Sequence, residues 1–209
     1  MVYLSEVKLQ MLFDQIGEPA RRSLAAELKL DVKLLSLTLS SPSVDPALRQ
    51  RSRLAKLALI EEHVKRHHAI GDATATHGYI KAQMDMDWSP VGDETVLFCG
   101  YTTDSLVTLG GSTSHLIGMP PSEGRIGSHP YVIRQALNTD FGVTTAHAGV
   151  DGLARSLALA AAEVYRMPQR VEFLARVISR GLLDVQSCRR EYLLATPLYV
   201  EVIDAPAGS

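Results

Sequence analysis

Hydrophobic positions change period several times along the 209 residues, and each change marks an element. Val2–Leu4 reads as a short opening strand, with Ser5 placed to cap a helix. In Glu6–Ile16 the apolar residues Leu9, Leu12, Phe13 and Ile16 recur at i, i+3, i+4 and i+7, one buried helical face. Gly17 ends that helix, and Pro19 sits in the first turn of the next, Glu18–Leu28. Leu30–Ser40 switches to alternation, with Val32, Leu34, Ser36 and Thr38 opposite Leu35, Leu37 and Leu39, which predicts a half-buried strand. Asp45 and Pro46 then open a long helix to about His68, with Leu54, Leu57, Ala58 and Val64 inward. Its end is basic (Lys65, Arg66, His67, His68), which suits the negative end of the helix dipole. Ala69–Gly78 reads as a connection.

From Tyr79 the period is two again. Ile80, Ala82, Met84 and Met86 fall on one face, and Lys81, Gln83, Asp85 and Asp87 on the other. A turn at Ser89–Asp93 returns the chain into Thr95–Tyr101, and Leu106–Leu109 adds a third strand. Gly118–Gly127, with Pro120, Pro121 and Gly124, reads as a loop. Helices are expected at Pro130–Leu137, Asp151–Arg166 and Pro168–Leu183, the last with Val171, Leu174, Ala175 and Ile178 inward. Glu191–Ile203 reads as a strand bent at Pro197, which favours a sheet edge. The expected fold is α+β, an antiparallel meander sheet packed against several helices, in a single domain 1–204 with a short flexible tail 205–209.

Composition narrows the classes of function. With 46% hydrophobic residues the chain can bury a sizeable core, and a net charge of -2 gives no global case for nucleic acid or an anionic membrane. Two cysteines, Cys99 and Cys188, are too few for a disulfide framework and read as reduced thiols. The first residues lack the regions of a signal peptide, and the longest apolar run, Leu153–Tyr165, is broken by Arg155 and Glu163. A cytoplasmic setting is the expectation.

The densest ligand-capable chemistry is Gly110-Gly-Ser-Thr-Ser-His115, read as a loop after the third strand. Backbone N–H groups in a glycine-rich turn, backed by the Ser112 and Ser114 hydroxyls and the His115 imidazole, make a concave donor surface for an anion. The loop has no lysine and no P-loop spacing, so a Walker-type NTPase is excluded. Its plain alternative is a connection in which Ser112 or Ser114 caps a helical turn. Arg125, His129 and Arg134 would add positive charge if they converge on it, and are otherwise surface charge. Ser112, His115 and Asp87 or Asp104 supply the residue types of a hydrolytic triad but not its Gly-x-Ser-x-Gly setting. His63 and His67 share a helix face, yet supply only two ligands without a His-Glu-x-x-His pattern, so no tightly bound ion is expected there. Asp85 and Asp87 pair on a strand, where Lys81 and Gln83 make the face read as solvated.

Tyr3-Leu-Ser-Glu-Val-Lys-Leu, Leu30-Asp-Val-Lys-Leu, Met84-Asp-Met-Asp-Trp88, Leu109-Gly-Gly-Ser-Thr-Ser-His-Leu-Ile-Gly118 and Ala195-Thr-Pro-Leu-Tyr-Val200 together resemble a family of uncharacterised actinobacterial proteins known by a locus-tag name. That resemblance implies one full-length domain in a bacterial cytosol and carries no activity, cofactor or catalytic residue. The leading reading is a ligand-sensing or interaction module, binding a small anionic ligand or a protein partner through Gly110, Gly111, Ser112, Ser114, His115 and Arg125. The alternatives are a hydrolase or transferase with His115 as general base and a nearby carboxylate, and a scaffold that homo-oligomerises through its helices. No cofactor is indicated, and neither nucleic acid nor membrane is an expected partner.

Overall fold

The computed structural model describes residues 1–31, 35, 45–73, 77–91, 95–117, 168–185 and 188–203. The chain gathers into two compact units, Ser5–Ile70 and Met1–Leu4 with Gly71–Ser209.

The first unit is helical: α1 (Glu6–Gln15), α2 (Glu18–Glu27) and α3 (Pro46–His67). Leu9, Phe13 and Ile16 are buried as their spacing requires. Ser5 stands at the N-cap of α1 without a side-chain cap bond, whereas Asp45 caps α3 by accepting from the Ala47 N–H at 2.8 Å. The buried residues of α3 are Ser52, Ala55, Lys56, Leu57, Leu59, Ile60 and Val64, so Leu57 and Val64 are inward as expected. Leu54, expected inward, is 48% exposed. The buried face is wider than the apolar spacing alone suggests, because Lys56, polar by type, belongs to it at 2% exposure. Its stem packs while Nζ donates to Gln10 Oε1 at 3.1 Å and lies 5.0 Å from the centre of the Phe13 ring. The Arg21 guanidinium sits 4.7 Å from the same ring, so one aromatic side chain meets cations from α2 and α3. Leu35, alone described between 32 and 44, is buried and helical rather than extended; the rest of the expected strand lies outside the described residues.

The second unit corrects the expected fold. Its strands are β1 (Tyr3–Leu4), β2 (Ile70–Gly71, where the chain enters the unit), β3 (Tyr79–Val91), β4 (Thr95–Tyr101), β5 (Ser105–Ser112), β6 (Gln169–Val185) and β7 (Cys188–Val202). β3, β4 and β5 pair antiparallel in succession, as the alternation predicts. They are one arc of a closed barrel, not an open meander on helices: β5 pairs with β7 in parallel, β7 with β6, and β6 returns to β3. The strand that closes the ring is β3, whose Tyr79–Met86 half pairs β6 and whose Asp87–Val91 half pairs β4. Ser89, Pro90 and Val91 therefore continue the strand rather than turning.

β6 occupies the stretch expected to be a helix from Pro168 to Leu183. Val171, Phe173 and Ala175 enter the core with Ile80, Met84, Met86, Val96, Phe98, Val107, Leu109, Leu193, Ala195 and Val200. Leu174, on the opposite face, is buried too, so Val171, Leu174 and Ala175 fit either period, and Ile178 is exposed. β-branched and aromatic residues at alternate positions settle the conformation. β7 is interior rather than an edge, flanked by β6 and, on its other side, by β5 up to Ala195 and by β1 from Tyr199. Pro197 falls between those two neighbours on one side, and on the other stands opposite Ala175 of β6 beside a register shift, the kind of irregularity at which proline is tolerated within a sheet. β4 is buried on both faces from Thr95 to Gly100, which is why it reads as an unbroken apolar run. The expected elements at 118–127, 130–137 and 151–166, and the tail, lie outside the described residues.

Candidate functional site

The Gly110–His115 segment is not a loop throughout. Gly110, Gly111 and Ser112 are the last residues of β5, in register with Leu97, Val96 and Thr95 of β4, and a single 3-10 turn, Thr113–His115, follows. Ser112 is the cap of that turn: its Oγ accepts from the Ser114 N–H at 3.3 Å and shares a 2.8 Å hydrogen bond with the Ser114 hydroxyl. The turn closes when the Leu116 N–H donates to the Thr113 carbonyl at 3.0 Å.

The two glycines serve the barrel. The Gly110 carbonyl accepts from Thr196 Oγ1 at 3.2 Å, tying β5 to β7 just past their ladder. A Cβ on Gly111 would lie 2.5 Å from Tyr3 Cε2 and 2.6 Å from Tyr3 Oη, so the missing side chain is replaced by the Tyr3 ring. That ring is fully buried, meets Phe98 edge-on at 5.9 Å and meets His115 edge-on at 5.8 Å. Tyr3 also bridges to Leu116 and pairs with Val200, so β1 fixes the turn from one side. Ser114 is exposed and His115 half-buried, which leaves these two side chains accessible to a ligand. Across the ladder from Ser112, Thr95 is buried with its hydroxyl unpartnered. No sequence signal points to Tyr3 or Thr95 here: Tyr3 meets Gly111 only through the fold.

The other sequence candidates are dispersed. Asp87 is level with Cys99 on β4 and Ser112 with Thr95, about 13 Å apart along the strand at roughly 3.3 Å per residue. Asp104 lies beyond the opposite end of β5, its carbonyl accepting from the Glu191 N–H at 3.2 Å. Asp85 is ion-paired with Arg170 at 3.5 Å. Neither Asp87 nor Asp104 joins Ser112 in a triad. Arg125, His129 and Arg134 lie outside the described residues. On the helical unit the His63 and His67 rings are 4.6 Å apart, and His68, whose extended backbone ends α3, brings its ring within 6.1 Å of His63. Burial first, then His67 and His68, holds the His63 imidazole below its ordinary pKa. Cys99 is a free, buried thiol with its pKa pushed up to about 12, chiefly by desolvation, and is chemically quiet.

The five-stranded mixed barrel closes in the order β3, β4, β5, β7, β6, and such a framework does not by itself assign a function. The chain belongs to DUF7019, a family of unknown function, which it matches over residues 1–204. No curated protein and no solved structure matches it. Among the described residues no helix is long and apolar enough to cross a membrane.

Proposed function

We propose that the barrel is a binding module that takes a small anionic ligand at the Ser112–His115 turn, with Ser114 and His115 as its side-chain contacts. The observation that supports it is an accessible hydroxyl and imidazole on one short turn whose backbone is held by the Ser112 cap and by Tyr3. Gly111 acts from behind, as the reason β5 and β1 come close enough to hold that turn. A rigid donor set of this kind binds without reorganising, which favours recognition. Asp87 stands well along β4 from the level of Ser112, so we favour binding over a hydrolase or transferase with His115 as general base and a nearby carboxylate.

The test is an amide NMR titration of the full chain with inorganic phosphate. Perturbations centred on residues 112–116, weakened at least fivefold in affinity by His115→Ala or Ser114→Ala in folded protein, support the reading. Absence of a response there, or an equal response in both variants, overturns it.

A further inference from the structure

We propose that His63 and His67, at the C-terminal end of α3, form an exchangeable site for a divalent ion of the copper–nickel–zinc group, with water completing its coordination. The site is independent of the turn on β5. Residues four apart on a helix present their side chains one above the other, and a pair of imidazoles so placed is a recurrent metal-binding unit. Two imidazoles bound at right angles to one ion, each at about 2.0–2.1 Å from it, have ring centres about 4.5 Å apart. The two rings here are 4.6 Å apart. One nitrogen of this set is also unspent: His63 Nδ1 is buried and has no hydrogen-bond partner. With Nδ1 buried, ligation of an ion from solvent falls to Nε2 of His63, and Nδ1 is the second nitrogen that ordinarily orients a ligating ring.

The neighbouring charges do not forbid an ion. Arg66, between the two histidines in sequence, is engaged by Glu62 on its own helix and by Glu27 of α2. His67 is exposed, so the site is reachable from solvent. The ligand chemistry selects the ion: imidazole suits copper, nickel and zinc, whereas magnesium and calcium take oxygen. Among the described residues no group of three or more His, Cys, Asp and Glu side chains is gathered for a metal. The described residues thus give two ligands, and an ion so held exchanges where a structural zinc would stay.

The experiment is thermal unfolding of the metal-free full chain, followed by circular dichroism, with NiCl2 or with MgCl2. Nickel at about five times its dissociation constant should raise Tm by about 2–4 °C, since binding only the folded state stabilises it. Chelator should reverse the rise, and magnesium should give none. His63→Gln and His67→Gln should each abolish the nickel effect, while His77→Gln and His115→Gln keep it. If the half-buried His63 variant fails to fold, the exposed His67→Gln decides alone. No nickel effect on the unaltered chain, or a full effect in His67→Gln, overturns the proposal.

Discussion

The ring of Tyr3 fills the space that a side chain at Gly111 would occupy, 108 residues further along the chain, with Cε2 2.5 Å from the missing Cβ. A glycine whose sequence context suggests close approach to a ligand is thus closely approached by the protein itself.

Gly111→Ala should therefore destabilise the barrel by about 1–3 kcal/mol, the usual cost of forcing atoms into a packed core. Chemical denaturation measures it. Replacing Tyr3 with leucine in the same chain should recover part of the loss, because the two substitutions act on one space; simple additivity would refute the pairing.

His115→Ala removes an edge-on contact with Tyr3. Its expected cost is about 0.5–1.5 kcal/mol, small enough for binding to be assayed on folded protein.

Lys56→Met should change stability by less than about 1.5 kcal/mol, because the buried stem is retained while the like charge of Arg21 loses its counterpart at Phe13. Lys56→Ala should cost about 2–4 kcal/mol through the cavity it leaves. A larger loss for methionine than for alanine would show that the ammonium group, not the stem, holds the helices.

Stability should also fall with acid through Glu172. Burial by itself raises this carboxyl's pKa, but the donors Gln83, Tyr199 and Lys81 outweigh burial and hold it below the ordinary value. A group with a depressed folded-state pKa contributes fully above its unfolded pKa of about 4.3 and loses that contribution as pH falls through the folded value. Glu172→Gln should flatten the stability profile below about pH 4.5 relative to the unaltered chain. Urea midpoints across that range provide the check.

Much of this architecture is legible in the residue pattern, and the failures share a cause. α1, α2, the cap at Asp45 and the β3–β4–β5 succession arise from local spacing and local chemistry. β6 does not, because a strand buried on both faces at Leu174 and Ala175 satisfies helical and extended periods alike. Alternation identifies β5 and β7 as strands but says nothing about their being parallel partners. At the site, local pattern points to Ser112 or Ser114 as a cap and to Ser112, Ser114 and His115 as candidate ligand groups, and the fold decides that Ser112 is the cap. It cannot point to Tyr3, since nothing local to residue 3 refers to residue 111.

The ring closes only when β7 takes its place between β6 on one side and β5 and β1 on the other. Until residues 191–200 have emerged from the ribosome, β3–β4–β5 is a ribbon with exposed edges, and β1 has no partner strand. Unpaired edges of that kind invite other chains to join them. Long-range pairing between residues 3 and 200 also places the closure search late and makes it slow. A truncation inside β7 should therefore yield aggregate instead of a smaller barrel.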